Sequence, residues 1–211
     1  MYFIYLRITL SIFLIVCGFY RIHKTRQLWV LTFPIWGILD LTTMILDEFF
    51  FTSNLELFSI YFLLLTIPLL FLYSEIGDIS VLKLSPFVIF PIVLILAFKL
   101  NLITTNQNLY SKYGFLNVRE YMMAVSVCCV LHIVYVFSIV LSIVKQNSVE
   151  LYKLIILFGL GIYFVGNLFY NLIEFRFIED IKGSLQLTRY YLPIQLFVSK
   201  GLLILGLIWK E

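Results

Sequence analysis

Long apolar stretches alternate with short polar breaks along the whole chain. A helix needs about 20 mostly apolar residues to cross the hydrocarbon core of a bilayer, and this length predicts seven membrane-spanning helices. Their approximate ranges are 3–20, 28–46, 55–74, 85–104, 121–144, 151–173 and 188–209. We therefore predict a single polytopic membrane domain over residues 1–211, an all-α bundle of about seven transmembrane helices with short loops.

A β-barrel is the other fold that satisfies every backbone polar group in lipid, but its strands alternate apolar and polar residues. Residues 151–161, interrupted only by Lys153, and residues 202–209 are continuously apolar instead, which favours helices. Two predicted spans carry unusual residues. Arg7 lies in the first, where we expect it to reach the outer membrane surface, and the fourth contains two prolines and Lys99, so either span is expected to be tilted, broken or partly interfacial.

Composition supports a membrane protein. Hydrophobic residues make up 62% of the chain and charged residues 13%, whereas a soluble domain has roughly a quarter charged residues. The net charge is +3, and no basic block is long enough for nucleic-acid binding. Membrane lipid is thus the expected surrounding, and nucleic acid is not an expected partner.

The basic residues of the first two loops predict the orientation. The first loop carries Arg21, Lys24 and Arg26, and the second has acidic residues but no basic one. Because cytoplasmic loops are enriched in Lys and Arg, we expect the amino terminus outside and the carboxyl terminus in the cytoplasm, in a bacterial-type cytoplasmic membrane.

Three ionisable residues fall near the middle of predicted spans: Asp40, His132 and Lys200. Such a residue costs about 2.5–3.5 kcal/mol on insertion scales and needs a partner, water or a function. At the helical rise, Asp40 lies roughly 18 Å and Lys200 roughly 14 Å from the inner ends of their helices. The two can pair if their helices are neighbours, either to fix packing or to line a cavity that binds an anion or couples protonation to movement.

Further polar residues share helix faces with these three. The second predicted helix carries Asp40 and Thr43 at helical spacing. The remaining members of the candidate ligand or ion seam are His132, Tyr163, Asn167, Asn171, Glu174, Gln195 and Lys200. Such stripes are expected to face the bundle interior. They form either a wet seam, more open towards the outside, or interhelical hydrogen bonds that hold the bundle together.

Enzyme and cofactor motifs are missing from the sequence. There is no H-E-x-x-H zinc motif and no G-x-S-x-G nucleophile elbow, and Cys128 and Cys129 are adjacent rather than spaced as C-x-x-C. We therefore predict no catalytic residue, no metal and no cofactor.

Lys200 resembles the retinal-carrying lysine of the seventh helix in microbial rhodopsins, and the predicted helix number and orientation agree with that family. The family carries an acidic residue four positions before the lysine, where this chain has Leu196. It also has an aromatic and proline cluster on the sixth helix, where this chain has no proline. These departures argue against a Schiff base at Lys200.

Two functions remain open. The first is a sensory or accessory membrane subunit that acts through a second membrane or cytoplasmic protein, or through self-association, rather than by its own catalysis. The second is a transporter or ion-conducting protein that uses the buried Asp, Lys and His residues.

Overall fold

The computed structural model describes residues 2–50, 54–76, 88, 92, 107–145, 150–176 and 191–209. These residues form six α-helices and one short 3-10 helix, Leu28–Leu31. The α-helices are α1 (Tyr2–Thr25), α2 (Thr32–Phe50), α3 (Asn54–Ile76), α4 (Gln107–Lys145), α5 (Leu151–Arg176) and α6 (Leu192–Ile208).

Four helical segments are long and apolar enough to cross a membrane: Phe3–Thr25, Leu28–Leu46, Val125–Lys145 and Leu151–Tyr170. Two shorter segments, Leu64–Ile76 and Leu192–Ile208, are also apolar. The all-α class is thus confirmed for the described residues, and the apolar helices indicate a membrane location. The predicted span at 85–104 lies outside the described residues, except for positions 88 and 92.

One predicted loop is wrong. Residues 105–120 were expected to connect two spans, but α4 already begins at Gln107 and continues unbroken to Lys145. Hydropathy marks the part of a helix that lipid can cover, and a helix continues past that part when its polar residues reach water. The apolar segment at Val125–Lys145 is therefore only the second half of α4.

The turn between α1 and α2 has a specific local cause. Arg26 adopts a left-handed backbone conformation with φ of 55°, and its N–H donates to the Ile22 carbonyl at 2.8 Å. A left-handed residue of this kind is a common way to end a helix. The Thr25 hydroxyl also accepts from the Gln27 N–H at 3.4 Å, so the chain reverses within a few residues.

Within the described residues the helices form a ring, because each packs against its neighbours in sequence and α6 packs against α1. We call the end of the bundle where α1 begins the Tyr2 end, and the end where α6 finishes the Ile208 end. α2 returns antiparallel to α1, since Gly18 packs against Pro34 while Ser11 bonds to Asp40.

The ring closes between the two described helices that are farthest apart in sequence. α6 runs parallel to α1, because Lys200 contacts Ser11 while Arg21, nearer the Ile208 end, donates to the Trp209 carbonyl at 2.9 Å. Both terminal helices therefore run from the Tyr2 end to the Ile208 end.

Helix α5 runs antiparallel to α6. A Cβ atom on Gly206 would lie 2.6 Å from Ile156, and one on Gly166 would lie 2.3 Å from Gln195. The two backbones thus approach more closely than larger residues allow at these positions.

Two further pairs of neighbouring helices are antiparallel, α4 with α5 and α2 with α3. Two contacts fix each direction: Val136 with Gly161 and His132 with Phe164 for α4 against α5, and Thr32 with Pro68 and Trp36 with Tyr61 for α2 against α3. Consequently α3 and α4, which also contact each other, both run from the Tyr2 end to the Ile208 end.

Candidate functional site

A group of polar side chains from α1, α2 and α6 meets inside the bundle; we call Arg7, Ser11, Asp40 and Lys200 the charge cluster. Lys200 Nζ donates to Asp40 Oδ2 and, at 3.3 Å, to Ser11 Oγ. Ser11 Oγ in turn donates to Asp40 Oδ2 at 3.0 Å. Lys200 and Ser11 are fully buried and Asp40 is 2% exposed. The pairing that the two depths allowed is therefore present.

Arg7 joins this cluster, whereas its position near a helix end predicts a side chain at the membrane surface. Its Nη2 atom lies 3.7 Å from Asp40 Oδ1, and the side chain is 25% exposed. Arg7 and Ser11 are four residues apart and therefore share one face of α1. This spacing was the available signal, and it was missed because a basic residue near a helix end is normally explained by its reach to water.

The cluster carries an excess of positive charge. Arg7 and Lys200 contribute two positive charges and Asp40 one negative charge, which leaves a formal +1. Among the described side chains, Asp40 is the only carboxylate in contact with either cation of the cluster.

A second polar group centres on Tyr163 of α5. Trp36 Nε1 donates to Tyr61 Oη at 2.7 Å, and the hydroxyls of Tyr61 and Tyr163 lie 3.4 Å apart. The Tyr163 carbonyl accepts from Asn167 Nδ2 at 2.7 Å and from Gln195 Nε2 at 3.0 Å. The structure therefore brings the seam residues Tyr163, Asn167 and Gln195 together, and the Gln195 bond ties α6 to α5.

His132 belongs to a third polar group, on the side of the ring formed by α3, α4 and α5. Its Nδ1 lies 3.1 Å from the Tyr73 hydroxyl and its Nε2 lies 3.4 Å from the Thr66 hydroxyl. The ring stacks on Phe164 with centroids 4.2 Å apart. Both ring nitrogens have partners, and none of the described contacts of His132 reaches the charge cluster.

The side chain of Thr43 is not part of any of the three groups. The Thr43 hydroxyl donates to the Asp40 carbonyl at 2.9 Å, a bond within its own helix. The side chains of Asn171 and Glu174 lie outside the described residues. No three His, Cys, Asp or Glu side chains gather at a possible metal site in the described part of the chain.

Among the described residues, the two sides of the charge cluster differ in burial. One turn from it towards the Ile208 end lie Leu14, Trp36 and Leu203, all fully buried; we call these three residues the apolar floor. On the other side Arg7 lies within two turns of the start of α1 and is partly exposed. An ion or polar ligand that enters from the Tyr2 end meets Arg7 first, and the apolar floor opposes its further passage.

No protein family, curated protein or solved structure matches this chain.

Proposed function

We propose that this chain is a small seven-helix membrane protein, sensory or accessory in role, in which the charge cluster receives a signal that a partner protein reads. One observation carries the proposal: Arg7, on the Tyr2 side of the cluster, is partly exposed, whereas the apolar floor on the Ile208 side is fully buried. Access from one side suits a binding site better than a conduction path.

The directions of α3 and α4 support the seventh crossing. The two helices run the same way, so α3 finishes at the Ile208 end and α4 starts towards the Tyr2 end. The described chain therefore leaves α3 at one end of the bundle and enters α4 towards the other. The apolar sequence at 85–104 has the length of one membrane crossing.

Charge supports the proposed orientation, with the Tyr2 end outside and the Ile208 end in the cytoplasm of a bacterial-type membrane. Lys24, Arg26, Lys145 and Lys153 all lie at helix ends on the Ile208 side. Short loops on the cytoplasmic side of a membrane are enriched in basic residues.

A physical connection from the cluster to the Ile208 end supports the role in signalling. Lys200 holds α6 to α1 and α2 inside the bundle, and Arg21 holds the end of α6 through the Trp209 carbonyl. Arg21 also lies 4.3 Å from the centre of the Tyr152 ring on α5. A change at the cluster that shifts α6 against α1 would therefore alter the surface presented to a cytoplasmic partner.

The test is native mass spectrometry of the protein extracted from its own membrane in mild detergent. A stoichiometric complex with a second protein is expected, and it should weaken when the exposed Lys24 and Arg26 are both changed to Glu. Recovery of a lone monomer that carries no partner would contradict the proposal.

A transporter or ion-conducting protein is the second candidate, and the Lys200–Asp40 pair is the observation that favours it. A buried pair that can exchange partners or protons is a recurrent element of ion-coupled transport. In this case Lys200→Met and Asp40→Asn abolish flux in proteoliposomes while the double variant stays folded. Loss of folding in both single variants without any wild-type flux would exclude this reading.

A further inference from the structure

The charge cluster contains two cations, Arg7 and Lys200, but only one anion, Asp40. Lys200, Ser11 and Asp40 already satisfy one another, with one positive and one negative charge. Arg7 adds a second positive charge next to the same carboxylate. Since Asp40 compensates only one of the two cations, a further negative charge that approaches the exposed part of Arg7 would balance the cluster.

Arg7 also has unused hydrogen-bonding capacity. A guanidinium group presents five N–H donors, but the contact with Asp40 at 3.7 Å is longer than a normal hydrogen bond. Among the described residues Arg7 makes no hydrogen bond. Its planar fork is thus available, and such a fork matches the two oxygens of a carboxylate or similar oxyanion.

The surroundings of Arg7 limit the ligand in charge and size. The formal +1 of the cluster is neutralised by one negative charge. The apolar floor closes the far side, and the side chains of Ser11, Asp40 and Lys200 leave no exposed polar surface beyond Arg7 itself.

On these grounds we infer that the charge cluster binds a small monovalent oxyanion, of the carboxylate or nitrate type, which enters from the Tyr2 end and is held by the Arg7 guanidinium. This inference rests on the proposed function and names the chemistry of its signal. The bound anion takes the place of Asp40 as the partner of Arg7, while Asp40 keeps Lys200 and Ser11. Binding therefore removes a contact between α1 and α2.

The experiment uses the purified full-length chain in lipid nanodiscs. Formate, acetate and nitrate are titrated in turn, with chloride as a spherical anion and sulfate as a divalent one, and binding is followed by calorimetry and thermal unfolding. Saturable binding of formate or nitrate is expected, with chloride and sulfate at least about tenfold weaker, because neither matches both the fork and the single charge.

Two variants connect the binding to Arg7. Arg7→Gln removes the charge and should abolish the binding, whereas Arg7→Lys keeps the charge but lacks the fork and should weaken it about tenfold. Lys145→Gln is the matched control, because Lys145 is an exposed cation at the opposite end of the bundle, in the last turn of α4. This variant should bind like the wild type.

Three results would overturn the inference: no saturable binding of any of the three oxyanions, equal binding of chloride, or unchanged binding in Arg7→Gln. These outcomes are separate from failure of the proposed function. If a stoichiometric partner complex forms but no anion binds, only the inference about the oxyanion is wrong. If the chain binds the anion but shows neither a partner nor flux, the anion site is supported and the proposed sensory role is contradicted.

Discussion

Three variants of the Asp40–Lys200 pair test how the bundle tolerates its buried charges: Asp40→Asn, Lys200→Met and the double variant. In the wild type, Arg7, Lys200 and Asp40 sum to +1. Asp40→Asn raises this sum to +2 and leaves Lys200 fully buried without an anion. Lys200→Met lowers it to zero and leaves Asp40 with Arg7 and Ser11. The double variant returns it to +1, on an arginine that is 25% exposed.

The expected costs follow from these sums. Removing one partner of a buried pair costs about 3–5 kcal/mol when the other charge is left without compensation, and this describes Asp40→Asn. Lys200→Met should cost less, about 1–3 kcal/mol, because Asp40 keeps a cation and a hydroxyl donor. The double variant should unfold closer to the wild type than Asp40→Asn does, since it removes both buried charges of the pair and leaves neither without compensation.

Unfolding of the purified variants in detergent micelles, followed by helical circular dichroism during titration with a denaturing detergent, measures these differences. The result that refutes the reasoning is a double variant whose loss of stability equals the sum of the two single losses. That outcome would mean that the two side chains contribute independently and that their mutual charge has no role.

Three further predictions concern the bundle around the cluster. Gly206→Ala should destabilise the protein by about 1–3 kcal/mol, because its Cβ would lie 2.6 Å from Ile156 Cγ1. Gly201→Ala, on the same helix, should be neutral in the same unfolding assay, because nothing lies within 4 Å of that position. Equal effects of the two variants would contradict the α5–α6 packing. His132→Leu should lower stability by about 1–3 kcal/mol through the lost Tyr73 bond without changing oxyanion binding, and altered binding would show that the two polar groups are coupled. In a cysteine-free background, a cysteine at position 5 should react with an impermeant thiol reagent added to intact cells and one at position 24 should not, and the reverse pattern would invert the proposed orientation.

The all-helical fold and the Asp40–Lys200 pair could be predicted because both depend only on distances along the sequence. Apolar length decides whether a segment can cross a bilayer. The depth of a charged residue follows from its distance in sequence from the helix end, so Asp40 and Lys200 could be placed at similar levels before their helices were known to meet. The bundle confirms that these two side chains are in contact.

The remainder depended on helix order and rotation, which hydropathy does not contain. His132, like Asp40, is an ionisable residue near the middle of a predicted span, yet it contacts Tyr73 and Thr66 on another side of the ring. Arg7 has the signature of a residue that reaches the membrane surface, yet it contacts Asp40. In both cases the partner lies on a helix distant in sequence, so no local pattern could identify it.

The distinction between a packing device and a binding site is sharpest at Arg7. Helices in lipid are not driven together by the hydrophobic effect, so interhelical hydrogen bonds help to decide which helices meet. Lys200, Ser11 and Asp40 already connect α6, α1 and α2 through three such bonds, which is sufficient to close the ring. Arg7 adds no hydrogen bond among the described residues, and it raises the cluster to a net positive charge on a side chain that is 25% exposed. The hydrogen bonds between the three helices do not involve Arg7, and an anion that reaches it from the Tyr2 end is the partner that we propose for it.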